Sequence, residues 1–169
     1  PHELSGGQLQ RISVLRSMLL EPLLIIADEP VSMLDVSVRA DLLNILMNLV
    51  KEFNMAMVFI SHDIAVINYV SEKIAVMYLG RIVESGTCAE ILQDPLHPYT
   101  KVLISNFPTL SFTKKTEPIH IEGEPPTPVN PGPGCYFAKR CYKAGEICFK
   151  EYPPMKECGG THQASCHFL

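Results

Sequence analysis

No run of apolar residues in this 169-residue chain is long enough to cross a bilayer; stretches such as Leu23 to Ala27 fall far short. No charged-then-apolar leader opens the sequence. No Lys/Arg cluster stands out, and a net charge of -4 with an isoelectric point near 5.9 argues against a nucleic-acid partner. Sustained heptads and internal repeats are missing too, so a long coiled coil is excluded. A soluble, intracellular protein is the expectation. The sequence also contains no G-x-x-x-x-G-K-[ST] segment, the loop whose backbone N–H groups cradle nucleotide phosphates. The chain opens on Pro1 rather than Met, with Ser5-Gly6-Gly7 almost at once. This suggests upstream sequence that was cut away or a gene that is broken.

Hydrophobic residues make up 47% of the chain, enough for a real core, and the length suits one domain with an appendage. Ser5 reads as a helix N-cap, and Ile12, Leu15, Met18 and Leu19 follow at helical spacing, with Pro22 beyond. Leu23 to Ala27 reads as a buried, parallel strand ending in Asp28-Glu29-Pro30. Val38 to Phe53 carries the period of an amphipathic helix. Met55 to Ile60 predicts a second buried strand ending in Ser61-His62-Asp63, and Ile64 to Val70 a short helix. Ile74 to Leu79 and Ile82 to Glu84 predict a hairpin turning near Gly80. Ala89 to Leu92 and Tyr99 to Ile104 close as helices. Alternating strands and helices predict an α/β sandwich with a mostly parallel sheet. Ligands of such sheets sit beyond the carboxyl ends of the strands, where Asp28, Glu29 and His62 fall.

Those residues suit phosphoryl transfer to water, which needs a metal to neutralise phosphate charge and a group to orient the water. Asp28 would hold Mg²⁺, and Glu29 would polarise the nucleophilic water. The bland alternative is a solvated acidic turn. His62 could donate to a terminal phosphate, or simply lie at the surface. Ser5-Gly6-Gly7-Gln8 opens a helix, where exposed N–H groups and the dipole favour anions; the alternative is an ordinary Ser cap after a flexible turn. Ser32 and Asp35 shape a turn, with Asp35 placed to cap the helix after it.

Composition shifts near Ser111. Residues 111–134 are rich in Pro and Gly and read as a semi-rigid connector. Beyond it Cys135, Cys141, Cys148, Cys158 and Cys166 crowd a short tail, while Cys88 lies apart. Disulfides are disfavoured in an intracellular chain. Buried free thiols remain an alternative to a metal site, which for sulfur ligands means zinc or an iron–sulfur cluster.

In order and spacing, Leu4-Ser5-Gly6-Gly7-Gln8, Ala27-Asp28-Glu29-Pro30, Ser32-Met33-Leu34-Asp35 and Ser61-His62-Asp63 resemble the second half of an ABC-type ATPase. Met77 to Glu84, His97-Pro98-Tyr99-Thr100 and the cysteine tail are similar to the ATP-binding subunits of oligopeptide/dipeptide ABC importers. Leu9, Val31 and Met33 are minor departures from that pattern. The resemblance implies a partial ABC nucleotide-binding domain over 1–110, a linker over 111–134 and a metal-binding tail over 135–169.

It further implies that Ser5, Gly6, Gly7, Gln8 and Asp35 contact ATP held by a second ABC ATPase subunit, like or unlike. Asp28 (through Mg²⁺), Glu29 and His62 would serve this chain's own site. Cys135, Cys141, Cys148 and Cys166 would hold a [4Fe-4S] cluster, with Cys158 spare and His162 and His167 available to a zinc alternative. Membrane permease subunits would be the other partners, on the cytoplasmic face. Lacking the Walker A and Q-loop regions, the isolated chain is expected to be inactive, with an apolar sheet edge exposed. A non-catalytic remnant acting through its metal tail is the alternative. A DNA-repair or chromosome-maintenance ATPase is disfavoured by the absent heptads.

Overall fold

The computed structural model describes residues 4–106, 118–124, 126–127 and 129–169. Residues 111–117, 125 and 128 of the expected linker lie outside the described residues. By compactness the chain divides into Pro1–Ser71 and Glu72–Leu169.

The first unit runs α1 (Gly6–Met18), β1 (Leu24–Asp28), α2 (Val36–Glu52), β2 (Ala56–Ile60) and α3 (Ile64–Val70). Ser5 starts α1 through a reciprocal capping box: its Oγ accepts the Gln8 N–H at 3.3 Å, and Gln8 Oε1 accepts the Ser5 N–H at 2.9 Å. β1 and β2 pair in parallel, with Asp28 opposite Ile60. The core is aliphatic: Val14, Val31, Leu42, Leu43, Leu46 and Val66, with Leu34, Leu49, Phe59 and Val70 against them.

α1 forms where the spacing predicts, yet Ile12, Leu15 and Leu19 are exposed and Val14 is its buried residue. One expectation needs correction: the strands are not buried on both faces. Leu24, Ile26, Val58 and Ile60 are exposed, and burial alternates with the pleat because the described chain covers the sheet on one face.

The second unit begins with the hairpin β3 (Lys73–Tyr78) and β4 (Arg81–Thr87). Leu79 (φ 46°) and Gly80 (φ 76°) turn it, and positive φ at both central residues matches the twist of the flanking strands. α4 (Cys88–Gln93) and α5 (Pro98–Ser105) follow. The cysteine segment adds a 3-10 turn at Ala138–Arg140, α6 (Glu146–Lys150), β5 (Lys156–Glu157) and β6 (Gln163–Ala164). β6 pairs with β4, so the sheet order is β3-β4-β6-β5, antiparallel throughout. The mostly parallel sheet expected from the alternation therefore reduces to the single pair β1–β2 among the described residues. The hairpin and the short tail strands pair locally or by addition at an edge, which favours antiparallel ladders.

Phe137 of the tail, 1% exposed, is central to the core of this unit. Its ring lies 5.2 Å from Tyr78 and 5.4 Å from Tyr99, in tilted and edge geometries that aromatic pairs prefer. Ser105 Oγ accepts the Ile119 N–H at 3.0 Å, and Arg140 Nε donates to the Gly123 carbonyl at 3.1 Å, which pins the described parts of the connector. No helix among the described residues is long and apolar enough to cross a membrane.

Candidate functional site

Parallel pairing carries the carboxyl ends of β1 and β2 side by side. The Glu29 N–H donates to the Ile60 carbonyl at 3.0 Å, continuing the ladder one residue past the strands. Glu29 itself adopts φ 44°, an uncommon conformation for a residue with a Cβ. That turn aims its carboxylate across to the next strand end. Oε1 accepts the His62 N–H at 3.1 Å and meets His62 Nδ1 at 2.7 Å. The acidic and imidazole groups are thus in direct contact. Oε2 is buried without a hydrogen-bond partner. The His62 side chain is 81% exposed, so the rest of its ring faces outward. Asp28 is exposed. An oriented carboxylate, an exposed imidazole and an open carboxylate next door can order a cation and an anion together.

The loop after Glu29 folds on itself. Ser32 Oγ and N–H both donate to the Glu29 carbonyl, at 3.0 and 3.4 Å. Asp35 is the N-cap residue of α2, as its position implied, but its side chain makes no capping hydrogen bond. In the Ser5–Gln8 segment Gly7 has a packing role: a Cβ there would come within 2.6 Å of Val38 Cγ1. Nothing lies within 4 Å of the same position on Gly6. The Gln8 side chain is spent on the capping box, and no hydrogen bond or ion pair among the described residues joins Ser5 to Gln8 with Glu29 or His62.

The five cysteines of the tail form no disulfide. Burial raises the pKa of Cys135, as do Cys148, Cys141 and Cys166 nearby. Burial also raises that of Cys141, with Cys166 and Cys148 adding to it. The Cys135 N–H donates to the Cys148 carbonyl at 2.7 Å, and a Cβ on Gly134 would lie 2.5 Å from that same oxygen, so only glycine permits the crossing. Cys148 and Cys166 are buried, whereas Cys158 is exposed and contacts the Lys156 carbonyl at 3.5 Å. Among the described residues no three His, Cys, Asp or Glu side chains are grouped so as to hold a metal ion. The histidines of the zinc alternative are engaged elsewhere. His162 Nε2 lies 2.7 Å from Glu84 Oε1, and His167 Nε2 lies 3.0 Å from the Glu151 carbonyl.

Sequence reasoning missed Glu84, which is fully buried and accepts N–H groups of Leu96 at 2.7 Å and His97 at 2.9 Å besides facing His162. It also missed Arg39, 3.0 Å from Asp63. Asp63 was findable as the polar residue before a helical run; its Oδ1 accepts the N–H groups of Ala65 and Val66.

Residues 83–148 match the family described as "Oligopeptide/dipeptide transporter, C-terminal region". The dipeptide transport ATP-binding protein DppF of Haemophilus influenzae is 48% identical over 93% of this chain and 48% of its own length. The oligopeptide transport ATP-binding protein AppF of Bacillus subtilis is 46% identical over 99% of this chain and 51% of its own length. Among solved structures, cbiO1 of Clostridium perfringens, part of the ABC transporter complex cbiONQ, superposes with a TM-score of 0.52 at 28% identity. It covers 55% of this chain and 37% of that one. The chain spans about half the length of the curated relatives it matches. Over nearly its whole length the chain is similar to the ATP-binding proteins of oligopeptide and dipeptide transporters.

Proposed function

We propose that this chain forms part of an ATP-hydrolysing, energy-coupling subunit of an oligopeptide/dipeptide ABC transporter. The observation that carries the reading is the 2.7 Å contact between Glu29 at the end of β1 and His62 at the end of β2. Glu29 polarises the attacking water, while His62 is held toward the terminal phosphate. Asp28 would hold Mg²⁺, whose charge would offset that of the phosphates. Ser5, Gly6 and Gly7 present the N-terminus of α1 to ATP bound by a second ATPase subunit. Gln8 and Asp35 complete that contact, Gln8 after exchanging its capping bond. The subunit works peripherally on the cytoplasmic face with membrane permease subunits, over functional segments 1–110, 111–134 and 135–169. The 169 residues alone, which contain no G-x-x-x-x-G-K-[ST] segment, neither bind ATP tightly nor turn it over.

The reading of Cys135, Cys141, Cys148 and Cys166 as ligands of a [4Fe-4S] cluster rests on the resemblance of the tail, since among the described residues no three His, Cys, Asp or Glu side chains are grouped to hold a metal ion. Bound there, the cluster would cross-link the tail. Anaerobic purification tests this part; a colourless protein with stoichiometric zinc refutes it.

The hydrolytic reading is tested in the whole subunit that contains this chain, assembled with its partners. Glu29→Gln should lower ATP turnover by about a hundredfold or more while ATP binding is retained. Undiminished turnover would overturn it.

A further inference from the structure

One cation in the first unit touches two loops at once. Arg39 sits in the opening turn of α2, its N–H donating to the Asp35 carbonyl at 2.8 Å. Its Nη1 donates to Asp63 Oδ2 at 3.0 Å, and Nη2 makes a long contact of 3.5 Å to the Leu34 carbonyl. Leu34 ends the loop that begins at Glu29; its N–H donates to the Val31 carbonyl at 3.2 Å. Asp63 directly follows His62. The Asp63 N–H donates to Ser61 Oγ at 3.1 Å, and its carboxylate already caps α3. One planar guanidinium therefore ties the loop leaving β1 to the segment leaving β2.

Stability alone does not explain this arginine. The pair is partly exposed, at 28% for Arg39 and 32% for Asp63, and such ion pairs contribute little. Arg39 Nε is buried with no acceptor, which costs free energy. An apolar side chain of similar length would cover the same surface without that orphaned donor. What an apolar chain cannot do is fix two acceptors on different loops in one plane.

We propose that Arg39 is a positioning residue that fixes the loop leaving β1 against the segment leaving β2, so that the Glu29 carboxylate and the His62 ring, which the ladder brings side by side, keep their contact. This rests on the reading of Glu29 and His62 as the hydrolytic pair. Arg39 touches neither nucleotide nor water; it acts through Asp63 and Leu34.

The test uses the whole ATPase subunit containing this chain, in its assembled transporter, with MgATP as the probe. Arg39→Ala should lower kcat by about ten- to a hundredfold, the scale on which small misplacements of reacting groups act. KM for MgATP and the thermal midpoint should stay near those of the parent. Arg39→Lys, which keeps one donor, should recover part of kcat. Adding Asp63→Asn to Arg39→Ala should cause no further loss of kcat, because both changes break the same link. An unchanged kcat in Arg39→Ala overturns the proposal. So does a loss of kcat matched by a rise in KM and a lower thermal midpoint, with Arg39→Lys no better. Glu29→Gln, run beside them, separates the two levels. If it hydrolyses ATP normally, the site reading falls and the proposal with it; if it is inactive while Arg39→Ala is not, only the role of Arg39 falls.

Discussion

The two units of this chain reach order by different means. Pro1–Ser71 packs an aliphatic core between α1, α2, α3 and one face of a two-stranded sheet, and leaves its polar pair at the strand ends open. Glu72–Leu169 has an aromatic centre and buries polar side chains: Glu84 and His162 are 2.7 Å apart with side chains 0% and 7% exposed. Its ties are long in sequence as well. Thr161 Oγ1 donates to Glu90 Oε2 at 2.8 Å, bringing the tail back to α4. Loose apolar cover with an exposed, oriented pair suits a surface that must meet other groups. Interlocked polar contacts suit a segment whose task is to hold one shape, because a half-satisfied buried network costs more than an apolar one.

The largest break in this contrast should come at Phe137. Phe137→Ala removes the ring around which Tyr78 and Tyr99 are arranged. It should cost about 3–5 kcal/mol, the range for an aromatic cut from a core. Leu42→Ala, at a fully buried aliphatic position, is the counterpart in the first unit and should cost about 2–5 kcal/mol. Amide hydrogen exchange reads the two separately. Phe137→Ala should strip protection from β3, β4 and the tail, and Leu42→Ala from α2 and β2. Unchanged protection in the tail of Phe137→Ala would show that its aromatic centre is not what orders it.

Acid should loosen the second unit next. Burial lowers the pKa of His97 to about 4, with Glu84 opposing the shift. A neutral His in the fold becomes charged in the unfolded chain, so this stability is full above about pH 6.5 and is lost as pH falls toward 4. The difference between the ordinary value of 6.5 and about 4 corresponds to about 3 kcal/mol. Glu90 works in the same sense. Hydrogen bonds from the Thr87 backbone, foremost, and from Thr161 hold its pKa down to about 2, so its contribution is present above 4.5 and fades below it. Exchange protection around α4, α5 and residues 160–163 should therefore decline between pH 6.5 and 4. In His97→Gln the part of that decline above pH 4.5 should shrink. A profile that is flat in the parent would contradict the buried, neutral state of His97.

Local pattern carried much of this, and the places where it failed share a cause. The hairpin at Gly80, the helix at α2 and the two strands ending in Asp28-Glu29 and His62 were legible because each is written in contiguous residues. α1 forms where predicted, but its periodic Ile12 and Leu15 are exposed while Val14 is covered; periodicity names a face, and packing decides whether it is used. β5 and β6 span two residues each, below any repeat that alternation can reveal. Glu84 with His162 and Arg39 with Asp63 join residues 78 and 24 positions apart, and nothing local announces such a pairing. The meeting of Glu29 with His62 was legible for the opposite reason: parallel register forces adjacent strand ends together once both strands are identified.

The smallest test sets like against like. Each unit starts a helix with a reciprocal capping box, Ser5 with Gln8 on α1 and Thr87 with Glu90 on α4. Ser5→Ala should cost about 1 kcal/mol, the usual loss for a capping hydroxyl, because its partner serves nothing else there. Thr87→Ala should cost more than the cap alone. The Glu90 carboxylate that accepts from Thr87 also accepts the Thr161 N–H at 3.2 Å and its hydroxyl. Removing the Thr87 hydroxyl, which donates to Glu90 Oε2 at 2.9 Å, leaves only the Thr87 N–H on that side and Glu90 less fixed for the two Thr161 donors, so residues 160–163 should lose exchange protection together with the first turn of α4. If both substitutions cost the same and the tail keeps its protection, the α4 cap is a local device like that of α1, and the ties of the second unit are less interlocked than its hydrogen bonds imply.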